Sequence, residues 1–366
     1  MPTFTVVRAR ESAKTGDRRM TKTIPSLDGL RALSFFIVFS AHAGLGAYVP
    51  GGFGVTIFFF LSGFLITTLM RIEYERRQTV NLKHFWARRL LRIWPPFYLV
   101  LLTGIAAALI FQAGTITWPA VRALLLHFTN YWTVWHGFDG QPDGTGVYWS
   151  LAIEEHFYLV FPWAYIAMQR ARVSGRNQAL LLWGFCGVVL LWRIVLIFLL
   201  NAPQPRTYLA TDTRIDSILF GCALAVWNNP VLDPPAGRSA TLKYYLLPAA
   251  LLILGACIVI RGDYFRETLR YSLQGISLTA VFTAAVRFPR WWVFHWLNYQ
   301  PAMFIGTVSY SLYLIHQTVL IKVQDHLTSW HPVAQAVLSL AVAIVIAWGI
   351  YQVVEKPCAL LRRKLT

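Results

Sequence analysis

Long apolar runs separated by short basic or polar connections set the pattern of this chain. A helix needs roughly 20 apolar residues to cross the hydrocarbon core of a bilayer. Ten runs approach or reach that length, which predicts an all-α membrane protein, a polytopic bundle of about ten transmembrane helices. The predicted spans are 27–49, 52–70, 93–113, 147–168, 178–200, 215–227, 244–260, 271–288, 302–323 and 333–354.

The composition and the distribution of charge point the same way. Apolar residues make up 56% of the chain and charged residues 13%, whereas soluble domains average about 25% charged residues. The net charge of +17 would suit a nucleic-acid partner, but the Lys and Arg residues cluster at the two ends and in alternate connections. This is the positive-inside pattern of membrane proteins. We therefore expect both termini to be cytoplasmic, the bilayer to be a partner, and no nucleic acid to bind.

We divide the chain into three parts. Residues 1–23 are polar and basic, lack the apolar core of a signal peptide, and are expected to form a cytoplasmic tail; Met20 is an alternative start. Residues 24–357 form one transmembrane domain, since no repeat or Gly/Ser linker divides them, and residues 358–366 form a basic cytoplasmic tail. The cysteines lack metal-ligand spacing, so we expect no metal site. They are Cys186, Cys222, Cys257 and Cys358.

Ionisable residues inside the apolar runs are candidates for chemistry, because a charge at the bilayer centre costs about 3 kcal/mol or more. Arg31 lies near the start of the first span, and His42 follows three helical turns later on the same face. Predicted depths place Glu154, His316 and Arg193 at the level of His42. Such a layer would suit acid–base chemistry. The alternative is structural pairing with a neighbouring carboxylate, which we favour for Arg193 and leave open for His316.

A basic run at residues 84–96 contains Arg88, Arg89 and Arg92. It is either ordinary positive-inside charge or a clamp for phosphate, which guanidinium groups bind through two hydrogen bonds. Arg89 and Arg92 would lie one turn apart on one helix face. In the second span, Ser62 and Gly63 would allow either a helix or a ligand to approach closely.

Taken together, these motifs resemble those of the integral-membrane acyltransferase family 3. The resemblance begins at SLDGLRAL, where Arg31 and His42 fill an Arg-x10-His spacing, and continues through FFFLSGFLIT. It includes the Arg-x-x-Arg pair Arg89 and Arg92, then YWSLAIEEHFYLVFP, GTVSYSLYLIHQ and the late EKP. It covers nearly the whole chain from Ile24.

The resemblance implies an O-acyltransferase of the bacterial inner membrane. Such an enzyme moves an acyl group, most often acetyl from acetyl-CoA, to a hydroxyl of a sugar, glycolipid or envelope polysaccharide such as lipopolysaccharide or exopolysaccharide. Many relatives carry an appended extracytoplasmic hydrolase-like domain, which we do not find here, so we expect transfer to finish within the membrane domain.

The resemblance also implies His42 as the catalytic residue and the arginines as donor-binding groups. We expect His42 to act as general base and Glu154 to orient it or stabilise its imidazolium. Direct transfer and a covalent acyl-His42 intermediate both stay open, as does the oxyanion donor, either Ser62 or a backbone N–H. The assignments to acyl-CoA are Arg31, Arg88, Arg89, Arg92 and Ser62, and those to the acceptor are Trp149, Tyr158, His316 and Tyr313.

The main alternative is a polytopic transporter or exporter of a glycan or an acylated metabolite. Ten spans with a polar layer near the midplane also suit a transporter. Turnover of acyl-CoA separates the two functions, because a transporter has no reason to cleave a thioester.

Overall fold

The computed structural model describes residues 5–6, 22–111, 115–235, 237 and 239–365, and it is almost entirely helical. A helix lies at each of the ten predicted positions. These helices are α1 Leu27–Ser40, α2 Gly51–Arg77, α3 Leu82–Ile110, α4 Trp149–Arg170, α5 Gly175–Phe198, α6 Asp216–Val226, α7 Leu247–Val259, α8 Leu269–Arg287, α9 Gln300–His326 and α10 Pro332–Ile350.

Shorter elements connect the ten helices. Short α-helices are Trp118–Leu125, Thr129–His136, Gln204–Leu209, Thr211–Arg214, Ser239–Thr241, Asp263–Glu267 and Lys356–Arg363. Wide π-type turns are Ala41–Leu45, Leu242–Leu246 and Tyr351–Glu355, and 3-10 turns are Thr145–Tyr148 and His295–Asn298. Two-residue strands, β1 Thr5–Val6 and β2 Lys22–Thr23, pair antiparallel. The rest of the predicted N-terminal tail, including Met20, lies outside the described residues.

Within the described residues, six helices are long and apolar enough to cross a bilayer, as expected for a multi-pass membrane protein. They are α2, α3, α5, α9 and the longer segments Ser239–Val259 and Pro332–Arg363, which include α7 and α10. The other four are shorter or more polar, so the count of ten crossings and the cytoplasmic location of the termini stay predictions.

Burial separates central helices from peripheral ones. The most apolar stretch is 78% buried in α2 and 61% buried in α9, but only 22% buried in α3 and 28% in α5. The peripheral helices therefore turn apolar side chains outward, where lipid can cover them. The central position of α2 and α9 explains why both cavities described below lie against these two helices.

Glycines allow the central helices to cross closely. A methyl group at Gly63 of α2 would overlap the carbonyl oxygen of Ile218 on α6, and one at Gly221 would overlap the carbonyl oxygen of Phe60. On the other side, Gly306 of α9 meets the carbonyl of Asp28 in the same way. Small residues at such crossings are typical of membrane helix pairs. Gly63 thus serves packing between helices.

The two largest differences between predicted and observed boundaries lie in the first and third helices. The first helix ends at Ser40 instead of residue 49, because Ala43 and Gly44 leave helical geometry, with Gly44 at φ +100°, where glycine is favoured. The third helix begins at Leu82, where the Asn81 side chain accepts a hydrogen bond from a backbone N–H of the first turn. The basic run is therefore helical and continuous with the predicted span.

A buried ion pair joins α5, α6 and α8. Arg193 is fully buried, and its Nη1 lies 2.8 Å from Oδ2 of Asp216. Its remaining donors reach Ser272 and the backbone carbonyls of Thr213 and Thr268. This confirms the structural pairing favoured for Arg193, since all three of its nitrogens are occupied.

Candidate active site

A narrow cavity of about 80 Å³, here called the inner cavity, lies among α1, α2, α3, α4 and α9. It lies toward the first turns of α1, the side predicted to face the cytoplasm. Seven of the eleven predicted site residues line it. They are Arg31, Ser62, Arg89, Arg92, Glu154, Tyr158 and Tyr313.

Arg89 is a buried arginine that lines the inner cavity. Its side chain is 7% exposed and, among the described residues, makes no hydrogen bond or ion pair. Arg92, one turn later, lines the same cavity, whereas the 8% exposed Arg31 pairs with Asp28 at 3.0 Å. A buried cation without a counterion is unfavourable. Arg89 therefore lies where an anion would be stabilised.

Three polar side chains form a chain of hydrogen bonds along the inner cavity. The Tyr158 hydroxyl donates to Oε2 of Glu154 at 2.8 Å and lies 2.5 Å from Oγ of Ser62. Because Tyr158 uses its proton on the carboxylate, Ser62 is the donor in the second contact. Glu154 therefore has Tyr158 as its partner, and not His42 as its predicted orienting role requires.

A larger cavity of about 680 Å³, the outer cavity, lies beyond the last turn of α1. His42, Trp149 and the first residues of α2, Gly51 and Gly52, line it. The chain leaves helical geometry directly after His42, so this imidazole stands at the rim of α1, exposed to the cavity. Nine of the eleven predicted site residues thus line one or both of the two cavities.

The two cavities share a partition. Val55 of α2 and Tyr313 of α9 line both of them. Tyr313 is held by its hydroxyl, which lies 2.7 Å from Oγ of Ser150 and donates to the carbonyl of Val147 at 3.1 Å. Moving these two side chains would join the arginine side to the histidine side.

His42 is paired with a second histidine. Its Nδ1 lies 3.0 Å from Nε2 of His316, so the two rings meet edge to edge, with centroids 5.2 Å apart and planes inclined by 25°. His316 is fully buried, and its Nδ1 lies 2.8 Å from the carbonyl oxygen of Tyr313. His316 therefore contacts His42 from behind and does not line either cavity, although the sequence had assigned it to the acceptor.

A family model described as an acyltransferase domain matches residues 24–352. The chain belongs to this acyltransferase family. Peptidoglycan O-acetyltransferase OatA of Listeria monocytogenes is 32% identical over 362 residues, which cover 94% of the chain and 57% of that relative. O-acetyltransferase OatA of Staphylococcus aureus is 29% identical over 345 residues, which cover 91% and 57%. The chain thus spans little more than half the length of these relatives. No solved structure matches it.

One of the residues predicted to bind the donor lies apart from the others. Arg88 points away from the inner cavity, with its Nη2 2.8 Å from Oε2 of Glu73 and its Nη1 3.1 Å from the carbonyl of Leu365. Arg362, from the short C-terminal helix, lies close enough to Arg31 and Arg92 for their charges to interact. Sequence reasoning had treated Arg362 as tail charge.

The chain also presents residues to the outer cavity that the sequence did not single out. Tyr208 has its ring 5.0 Å from that of Trp149 and its hydroxyl against Gly52. Behind this pair, the fully buried Arg214 lies over the face of Tyr208, 5.3 Å from its centroid. Gln317 lines the cavity with a buried Oε1 that has no hydrogen-bond partner among the described residues.

These groups were not predictable for a simple reason. Tyr208 lies on the short helix Gln204–Leu209, and Gln317 lies one residue beyond the motif histidine. Neither position shows a spacing that marks chemistry. No cluster of metal-ligating side chains occurs within the part of the chain that the structure describes.

Proposed function

We propose that this protein is a membrane-bound O-acetyltransferase of the bacterial inner membrane. It would move acetyl from cytoplasmic acetyl-CoA to a sugar hydroxyl of an envelope carbohydrate, such as the peptidoglycan named for one relative. The observation that carries the proposal is the pair of cavities, one lined by arginines and one by His42, that meet at Val55 and Tyr313. Family membership supports acyl transfer as the chemistry.

The inner cavity would take the donor. Arg89 and Arg92 offer guanidinium groups for phosphate, and Arg362 adds charge at the same mouth. The cavity is too narrow for a nucleotide but suits an extended chain such as a pantetheine arm, because it holds only about 80 Å³. The nucleotide would therefore stay at the mouth while the thioester passes the Ser62 and Tyr158 hydroxyls toward the partition.

The outer cavity would take the acceptor. Its volume of about 680 Å³ falls within the range of small-molecule sites. Trp149 and Tyr208 offer aromatic faces for a sugar ring, and Gln141, Asp143 and Gln317 offer hydrogen-bonding groups. A mixture of flat apolar surface and polar side chains suits a carbohydrate, whose rings carry both C–H faces and hydroxyls.

Direct transfer would run as one addition and one elimination. The acceptor oxygen attacks the thioester carbon while His42 Nε2 takes the hydroxyl proton. The C–S bond then breaks, and the same proton passes to the departing CoA thiolate, which leaves an ester and a free thiol. Gly51 and Gly52 line the cavity in the first turn of α2, where backbone N–H groups have no intrahelical partner, and these N–H groups would donate to the oxyanion. Ser62 lines the inner cavity instead.

The test is acetyl-CoA turnover by purified protein in nanodiscs. We expect release of CoA that depends on a soluble glycan acceptor and the appearance of an acetyl ester on that acceptor. His42→Ala should abolish both, while His326→Ala, an exposed histidine at the end of α9, should keep them. Wild-type turnover by His42→Ala would exclude the mechanism.

The exporter alternative makes the opposite prediction. A transporter would move a labelled glycan across a vesicle membrane without releasing CoA from acetyl-CoA. Transport without turnover by the wild-type protein would therefore replace the proposed function.

A further inference from the structure

We propose that His316 is a positioning residue that fixes the tautomer of His42 and so selects Nε2 of His42 as the base. The inference rests on the proposed function, because it assumes that His42 accepts the acceptor proton. It assigns to a buried histidine a task that the sequence had given to Glu154.

The first step concerns the proton on His316. Its Nδ1 lies 2.8 Å from the carbonyl oxygen of Tyr313, and a carbonyl oxygen can only accept a hydrogen bond. Nδ1 of His316 therefore carries a proton. A neutral imidazole has one ring proton, so Nε2 of His316 is left as an acceptor.

The second step transfers this constraint to His42. Nδ1 of His42 lies 3.0 Å from the accepting Nε2 of His316, so Nδ1 of His42 must be the donor. The single proton of neutral His42 is thereby placed on Nδ1. The lone pair of His42 is left on Nε2, on the edge of the ring opposite to His316, and the ring is exposed to the outer cavity.

The surroundings hold His316 in this role. Its ring is fully buried and meets the edges or faces of Phe35, Phe39 and Tyr313 at centroid distances of 5.7, 6.4 and 5.6 Å. Throughout the described ranges, no carboxylate forms an ion pair with either imidazole. An apolar cage of this kind favours the neutral ring, and so His316 acts through a neutral acceptor where a triad uses a carboxylate.

The pair also explains how the transition state is stabilised. When His42 gains the acceptor proton at Nε2, it becomes an imidazolium, and its Nδ1–H bond to His316 becomes charge-assisted and stronger. When the proton passes on to the CoA thiolate, His42 returns to its starting tautomer. The histidine pair therefore gains one proton and passes one on, with no net change over a complete cycle.

The test compares two amides at position 316. In His316→Gln the amide oxygen can reach the place of Nε2 and accept from His42, whereas in His316→Asn the shorter amide reaches only the place of Nδ1. We expect His316→Asn to lower kcat about 100-fold, the lower end of general-base contributions, with KM for acetyl-CoA unchanged. His316→Gln should recover most of kcat.

A purely structural role predicts a different result. Both variants would then lower thermal stability alike, and kcat per folded molecule would be equal for Gln and Asn, which would overturn the inference. The same holds if His316→Leu, measured per folded molecule, retains wild-type kcat. Such results would leave the proposed function intact, since that function is tested separately by acetyl-CoA turnover in the wild-type protein and in His42→Ala.

Discussion

Nδ1 of His42 lies 3.0 Å from Nε2 of His316, although 274 residues separate the two in the chain. The contact brings the end of α1 against the middle of α9. It places the candidate base against a central helix, because α9 is among the most buried helices of the bundle. The imidazole at the end of α1 is therefore contacted by His316 on one side and exposed to the outer cavity on the other.

Arg89 should bind the donor without contributing to the fold. In Arg89→Met we expect acetyl-CoA affinity to fall by about 10-fold or more, because a hydrogen bond to a charged group contributes about 1.5–3 kcal/mol. Thermal stability should hold or rise, since the variant removes an unpaired buried cation. Calorimetry and thermal unfolding in nanodiscs measure the two effects.

Arg88→Met is the matched control for that variant. Arg88 is one residue away but pairs with Glu73 outside the inner cavity, so its loss should change acetyl-CoA affinity much less. Equal losses of affinity in the two variants would contradict the assignment of the clamp to the cavity-lining arginines.

Val55→Trp should close the route between the cavities. Val55 lines both of them, and an indole there would fill the space through which the thioester must pass. We expect acetyl transfer to fall at least about 100-fold, which corresponds to a barrier increase of about 2.7 kcal/mol. Free CoA, which carries no acetyl group, should still bind. The control is Gly104→Trp on α3, where an added side chain meets open space.

Acid should weaken the cluster of hydrogen bonds around Asp212, which lies on the predicted outer side of the protein. Burial acts to raise the pKa of Asp212, but hydrogen bonds from Arg206, Trp192 and Tyr131 together hold that pKa below its ordinary value. The ionised carboxylate therefore stabilises the fold above about pH 4, the ordinary range of the group. This contribution is lost as the pH falls through the lowered pKa of the folded state.

Asp212→Asn tests this pH dependence. The variant should be less stable than wild type at neutral pH. Its thermal stability should also fall less steeply than that of wild type toward pH 3. Asp263→Asn is the control, because the side chain of Asp263 is 91% exposed. A decline in Asp212→Asn as steep as in wild type would exclude the carboxylate as its source.

Gly63→Ala should destabilise the crossing of α2 and α6. The added methyl would overlap the carbonyl oxygen of Ile218, and overpacking typically costs about 1–3 kcal/mol. Gly104→Ala adds the same methyl into open space and should be neutral or stabilising. Thermal unfolding of the two variants measures the difference; equal midpoints would mean that the crossing can relax.

Sequence reasoning predicted neighbours on one helix better than partners on separate helices. Arg89 and Arg92 share a face because their spacing is local, and both line the inner cavity as expected. His42 and Glu154 were paired by depth alone, but the structure gives Glu154 to Tyr158. Depth follows from counting residues along a span, whereas a partner depends on how separate helices rotate and cross.

The remaining differences have the same cause. The early end of α1 depends on two residues, Ala43 and Gly44, within a run that is apolar enough to continue. Tyr208 at the outer cavity and Arg214 behind it are positioned by tertiary contacts, among them those with Trp149. Such contacts leave no periodic trace in a single sequence.

The partition of Val55 and Tyr313 has a consequence for the cell as well as for the reaction. A continuous aqueous passage past His42 would leak ions and discharge the membrane potential. In the proposed mechanism, two cavities that meet at this pair of side chains would let an acetyl group cross the barrier on a tethered arm while water stays on its own side.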